Sequence, residues 1–289
     1  MPSLRDLRDR IRSLRNTQQI TKAMKQVAAA KIRRAEAAKK QARPYADTLD
    51  EMLRDLLANV STVDHPFMKP GRSGAPSGVI LLTADKGLAG AFNSNIIREA
   101  EQYRSARPDV AFYSVGIKAR NAVRRLGQGS RPAWALSAQP KIDTAREVAQ
   151  RVTEDFVSGA ISDITLVAAQ MISMMVQRPF VRKLVPVQAS AVNEVEKPRG
   201  PRGAVEFAPS PEFVLSRLLP KYLEFTLFSA MLETDAAFFA AQLLAMNNAT
   251  DNAGKLIDEL TIEMNNARQA AITKELLEIV SGAEALTKA

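Results

Sequence analysis

Residues 4–27, "LRDLRDRIRSLRNTQQITKAMKQV", decide the architecture. Leu4, Leu7, Ile11 and Leu14 recur at steps of three and four, and Thr17, Ile20, Met24 and Val27 carry the spacing onward. That period marks an amphipathic helix with one apolar stripe. No glycine precedes Gly71, so the helix is expected to run from about residue 3 to residue 58, with Pro44 as a kink or break. At 1.5 Å per residue it would be roughly 80 Å long, more than a domain of this size can bury along its length.

The C-terminal third repeats the pattern. From Pro211 to Leu286 the interior breakers are Pro220 and Gly254 until Gly282, and a seam runs through Leu243, Met246, Thr250, Ala253, Ile257, Leu260, Met264, Ala267, Ala271 and Ile279. Two long helices at opposite ends of a chain, each with an apolar repeat near 3.5 residues, are expected to wrap around each other as a coiled coil. Joined through a compact middle, they must pair antiparallel. The seams are rich in alanine and polar residues, so a slim rod with a purely structural role is also consistent with the pattern.

Between the rods, strand and helix patterns alternate. "GVILLTAD" (78–85), "VAFYSVG" (110–116), "DITLVAAQ" (163–170) and "VRKLVPVQ" (181–188) read as strands; 94–107, 117–126 and 142–158 read as helices. The fold class is therefore α/β, a Rossmann-like middle domain with a mostly parallel sheet, plus a long antiparallel coiled coil. The expected division is an N-terminal helix (1–58), a linker (59–74), the α/β domain (75–195), a loop or foot (196–210) and a C-terminal helix (211–289).

Within the middle domain, "LLTADKGLAGAFNSN" (81–95) places a lysine and two glycines between a strand and a helix start. That layout can receive phosphate on backbone N–H groups. Yet Gly87 and Gly90 give only G-x-x-G, without the third glycine of a dinucleotide fingerprint or the G-K-[ST] ending of a P-loop. A tight strand-to-helix connection explains the same residues. Asp85 with Lys86 reads equally as a solvated turn.

Composition narrows the chemistry further. Cysteine is absent, which removes disulfides, thiolate nucleophiles and cysteine metal sites, and the single histidine, His65, lies in a Pro-flanked loop. The residues call for no catalytic site, metal or cofactor. No apolar run approaches the ~20 residues of a membrane span, and the N-terminus lacks the apolar core of a secretory signal. The net charge of +9 is concentrated: residues 1–43 hold 13 Lys/Arg against 3 Asp/Glu, a net of +10, and the remainder carries −1. Such a segment attracts anionic partners, whether nucleic acid, lipid headgroups or acidic protein surfaces.

Three separated stretches resemble the gamma subunit of F-type ATP synthase, the central rotor stalk. They are "IRSLRNTQQITKAMKQVAAAKIRRAE" (11–36), "TADKGLAGAFNSN" (83–95) and "AMNNATDNAGKLIDELTIEMNNARQAAITKELLEIVSGAEAL" (245–286), with the closing signature from Ile272 to Ala285. The domain order agrees, so the resemblance covers essentially the whole chain. It implies a coiled coil whose tip sits inside an alpha3/beta3 hexamer, and an α/β domain beside an epsilon subunit on a membrane-embedded c-ring. Catalysis would belong to the beta subunits, and the location would be peripheral, at the cytoplasmic face of a bacterial inner membrane. By position, Arg268, Gln269 and Thr273 are implied to hydrogen-bond a beta-subunit loop. Met24 with Lys22 and Lys25, and the glycine loop at Lys86, Gly87, Leu88 and Ala89, are implied to face an acidic lever of that subunit. Glu206, Phe207, Ala208 and Pro209 are implied to form the c-ring foot. The sequence departs from the family at Gln242, where a cation is usual, and at Ala89, where cysteine is common. A nucleic-acid-binding coiled coil is the alternative, although residues 1–44 contain no aromatic side chain for base stacking.

Overall fold

A computed structural model describes residues 3–59, 65–107, 109–127, 132–137, 141–187 and 210–287. The first helix, α1 (Leu4–Asn59), continues through Pro44 without a break, and the last helix of the chain, Pro211–Thr287, continues through Pro220. Among the described residues, five strands, three shorter α-helices and a 3-10 turn (Pro66–Met68) lie between them. The chain forms two compact units, residues 1–27 with 243–289, and residues 28–242. The division falls within the long helices rather than between them.

In the larger unit the strands are β1 (Ser77–Leu82), β2 (Val110–Val115), β3 (Ala133–Trp134), β4 (Asp163–Met171) and β5 (Gln177–Val185), in sheet order β3-β2-β1-β4-β5. All neighbours are parallel except β4 and β5, which form an antiparallel hairpin. The two-residue β3 escaped the sequence reading because "AW" is too short to show a period. β5 starts four residues before the expected strand; Pro179 is tolerated there because β5 lies at the sheet edge. Helices α2 (Phe92–Ala106), α3 (Ile117–Arg125) and α4 (Lys141–Val157) fall within two residues of their expected limits.

Strand periodicity divides the core in two. Val79, Leu81, Phe112 and Val167 pack with Ile96, Ala119 and Val123 on the α2/α3 side. Ile80, Leu82, Tyr113, Ile164 and Leu166 point the other way, toward α4, the end of α1 (Leu49, Leu53, Leu56) and the start of the last helix, α5 (Leu215, Leu219, Leu223). Successive side chains alternate faces, so a strand buried on both sides reads as an unbroken apolar run. The stretch 237–241 of the last helix joins this core: Ala237, Phe238 and Ala241 are buried on the α2/α3 side.

Helix α5 corrects one compositional expectation. It contains a window with a mean hydropathy of 1.2, enough for a membrane span by length and composition alone. Of that window 56% is buried within the protein, so packing accounts for its apolarity.

One glycine is held by geometry at the start of α3. Gly116 has φ +98°, and a Cβ there would lie 2.2 Å from the Thr83 carbonyl oxygen. Both the backbone conformation and the contact exclude a side chain. Gly116→Ala is expected to cost about 3 kcal/mol or more, read as a lower urea midpoint at unchanged slope.

Candidate partner-contact surfaces

In the smaller unit the two long helices meet along a seam that differs from the apolar trace in α1. Leu7, Ile11 and Thr21 are buried, and Leu14, Gln18 and Lys25 are half-buried. The steps are four, three, four, three, four, the alternation of a coiled-coil seam. Ile20 and Val27, expected on the seam, are 60% and 54% exposed. The expectation failed because polar side chains occupy the true seam. Gln18 Nε2 donates to the Thr250 carbonyl at 3.5 Å, Thr250 Oγ1 donates to Thr21 Oγ1 at 2.8 Å, and Lys25 Nζ donates to Asn247 Oδ1 at 2.5 Å. An apolar-only trace slips by one residue at Thr17 to avoid them.

As the α1 partner rises from Thr21 to Lys25, the α5 partner falls from Thr250 to Asn247, so the pairing is antiparallel. On α5 the seam keeps its expected positions: Met246, Ala253 and Ile257 are buried, and Leu260, Met264, Ala267 and Ala271 are half-buried. Gly254 allows close approach, since a Cβ there would sit 3.1 Å from Gln18 Nε2. Replacing Thr21 or Thr250 alone by valine is expected to cost about 1 kcal/mol for the lost interhelical bond, the remaining hydroxyl keeping its bond to the Gln18 or Met246 carbonyl. The double variant should cost little more than either single. A thermal-melting double-mutant cycle measures it.

The same register places the partner of Leu4 near residue 268. Beyond it, no described residue of α1 lies opposite α5, leaving an overhang of roughly 30 Å at 1.5 Å per residue. Described side chains from Ile272 to Ser281 are all exposed, including Leu276, Leu277 and Val280. Ile279, expected on the seam, is 68% exposed for this reason. Arg268, Gln269 and Thr273 stand exposed at the base of the overhang. Lys22 is exposed and Met24 half-buried, while Lys25 is directed at Asn247 on α5.

In the larger unit, the turn after β1 is fixed by its own polar groups. Asp85 is a hub rather than a solvated turn. Its carboxylate accepts from the backbone N–H groups of Ile117 (2.9 Å), Leu136 (3.1 Å) and Ser137 (2.8 Å), and from the Ser137 hydroxyl (2.5 Å). Burial pushes this carboxyl up, but the hydrogen bonds from Ser137, Ile117 and Leu136 together outweigh burial and hold it below the ordinary carboxylate range. Thr83 Oγ1 accepts from Ala119 N–H at 2.7 Å. The N-terminus of α3 is thus occupied by a protein carboxylate and a hydroxyl. Asn93 ties the loop to α2, accepting from Ala84 N–H and donating to the Lys86 carbonyl.

The glycine loop that this framework supports presents Lys86 and Leu88 to solvent, with Leu88 at φ +60° and 64% exposed. Gly87 is half-buried near Lys118, and Ala89 is buried in the α2/α3 core. Glu206, Phe207, Ala208 and Pro209 lie outside the described residues.

A cavity of about 380 Å³ lies against the middle of β4 and β5, lined by Asp50, Arg182, Tyr222, Thr226 and Glu233 among others. Burial raises both the Asp50 carboxyl and the Tyr222 phenol. The cavity lining reaches Gln170 and Met171 at the C-terminal end of β4. Among the described residues, no group of three or more His, Asp or Glu side chains is placed to hold a metal.

The model of a protein family described as ATP synthase matches residues 3–286. An ATP synthase gamma chain from Heliobacterium modesticaldum is 42% identical over 290 residues, spanning 99% of this chain and 100% of that one. The chain belongs to the ATP synthase gamma-chain family. Another family member, from Phenylobacterium zucineum, is 42% identical over 293 residues with 99% and 100% coverage. Among solved structures, a chain of the Euglena gracilis mitochondrial ATP synthase (OSCP/F1/c-ring, rotational state 3) superposes with a TM-score of 0.67 at 17% identity, covering 98% of this chain and 94% of that one. At that identity the likeness concerns the fold: a middle sheet between N- and C-terminal helices. Nothing in these matches supports a nucleic-acid-binding coiled coil. Sequence reasoning missed the Asp85 hub, whose partners are 32 and 51 residues away, and the exposed β4–β5 hairpin tip, which lies in the unassigned stretch between the two expected strands.

Proposed function

We propose that the chain is the central stalk of a proton-translocating F-type ATP synthase, a non-catalytic rotor that couples c-ring rotation to conformational cycling of catalytic beta subunits. The observation that carries this reading is end-to-end identity of about two residues in five with ATP synthase gamma chains. The geometry supports it. A helix overhang with Leu276, Leu277, Ile279 and Val280 exposed needs an apolar sleeve, which a surrounding alpha3/beta3 hexamer would supply.

In this reading Arg268, Gln269 and Thr273 hydrogen-bond a beta-subunit loop. Lys22 and Met24, together with Lys86, Gly87 and Leu88, meet an acidic lever as the rotor turns; Lys25 orders the adjacent seam, and Ala89 anchors the loop in the core. Rotation presents a different face to each beta subunit, and differential contact shifts its conformational equilibrium. Driving a site from 1:99 to 99:1 takes about 5.5 kcal/mol, which a few charge-assisted hydrogen bonds of roughly 1.5–3 kcal/mol each provide. The segment Glu206 to Pro209 contacts the c-ring beside epsilon, and the complex holds the chain peripherally at the cytoplasmic face of the inner membrane. Co-expression with the alpha and beta subunits of the same organism tests the reading. It predicts recovery of one copy of the chain per three alpha and three beta subunits, and failure to recover it in that ratio would refute it.

A further inference from the structure

The β4–β5 hairpin ends in "ISMMV" (172–176), where Ile172, Met174, Met175 and Val176 are all exposed, Met175 at 73%. Four neighbouring apolar side chains at a loop tip, where polar residues normally sit, mark an interaction site. The tip is internally ordered. Ile172 and Ser173 N–H both donate to the Val176 carbonyl, the Ser173 hydroxyl accepts from Met175 and Val176 N–H, and Gln177 Nε2 donates to the Ser173 and Met174 carbonyls. Its base is pinned to α5, where Glu233 accepts the Met171 N–H at 2.8 Å and also pairs with Lys39. A preordered apolar knob loses little entropy on docking, and methionine adapts its shape to a partner.

The knob has a charged setting. β4 runs parallel to β1, with Val167 opposite Leu81, and extends four residues further, so the hairpin rises at the same sheet end as the glycine loop. The segments at this end, 86–98, 117–120 and 172–178, contain Lys86, Arg98, Lys118, Arg120 and Arg178 and no Asp or Glu. Glu233 at the hairpin base is paired with Lys39, so cations remain in excess, and apolar side chains set among excess cations complement a surface of opposite charge with its own apolar stripe.

We infer that the hairpin tip Ile172–Val176 is a second docking element of the rotor, which receives an amphipathic helix of a partner subunit carrying carboxylates beside apolar side chains. The inference rests on the stalk reading and extends it, because the helix is gripped by the hairpin as well as by the Lys86–Leu88 loop. The knob supplies burial and the cations set orientation.

The absence of native cysteine makes the test direct. Met175→Cys places a single thiol at an exposed position in the full chain, which is then assembled with its alpha, beta and epsilon subunits. Labelling by a charged maleimide should slow about tenfold or more relative to the free chain, the protection given by an interface open in a tenth of molecules or fewer. A bifunctional maleimide with a photoreactive arm should cross-link Cys at 175 to a partner helix bearing Asp or Glu. Equal labelling in free and assembled chains would overturn the inference, as would a cross-link to lipid, to a second copy of this chain or to a segment without carboxylates. A chain that never enters the complex would sink the stalk reading and this inference together. One that enters with its thiol fully reactive sinks only the inference.

Discussion

Replacing Arg268 and Gln269 together by alanine should lower coupled ATP turnover of the assembled complex about tenfold to a hundredfold, while the free variant melts at the wild-type temperature. Both side chains are exposed on α5, at the base of the overhang, and alanine is the strongest helix former, so folding gives no reason for a defect. A hydrogen bond to a charged group contributes roughly 1.5–3 kcal/mol and a neutral one about 1 kcal/mol, and each 1.36 kcal/mol of lost transition-state stabilisation is a factor of ten in rate. The two residues are adjacent, so the losses are not additive and the lower half of the range is favoured. Wild-type turnover in the double variant would remove Arg268 and Gln269 from the contact surface and leave the fold untouched.

The second large effect is expected at Asp85. Asp85→Ala removes the acceptor for three backbone N–H groups and one hydroxyl, and should cost about 3 kcal/mol. In a domain of this size that corresponds to a fall of roughly 6–12 °C in Tm. Asp85→Asn, which keeps one carbonyl oxygen at the hub, should recover part of the loss. The pH dependence has a definite sign. The folded-state pKa is depressed, so the contribution is fully present above the unfolded carboxyl value near 3.9 and is lost as pH falls through the folded value. Wild type and Asp85→Ala should therefore differ by a constant amount from pH 5 to 8 and converge only in acid. Convergence near neutral pH would show that Asp85 is not the depressed, hydrogen-bonded carboxylate described above. Because Asp85 precedes Lys86 directly, the alanine variant should also loosen the glycine loop and raise its amide exchange.

These effects bear on how much the sequence discloses. Long-range periodicity disclosed the two terminal helices, because a 56-residue and a 77-residue helix repeat their pattern many times and survive one internal proline each. The buried strands β1, β2 and β4 were equally legible as short apolar runs. What escaped was the part of the fold written in polar residues. Gln18, Thr21 and Lys25 occupy the α1 seam by hydrogen-bonding α5, so hydrophobicity assigned Ile20 and Val27 to the core although both face solvent. The fate of Ile279 depended on where the partner helix begins, which no local pattern encodes. Asp85 was ambiguous because a hub and a solvated turn share the same four-residue neighbourhood; only contacts with α3 and the 136–137 segment separate them. The residues implied by family resemblance were legible as positions. Their surroundings divide them into exposed groups such as Arg268 and Leu88, a seam member in Lys25, and a core member in Ala89.

The central claim is that this chain turns inside its partners. A cysteine placed at Gln102, an exposed position on α2, would carry a bead or gold rod on an otherwise cysteine-free chain assembled with surface-fixed alpha and beta subunits. The account predicts one-directional, stepwise rotation of the probe that requires ATP and stops when it is removed. A hexamer that hydrolyses ATP while the probe on this chain shows only undirected fluctuation would contradict it.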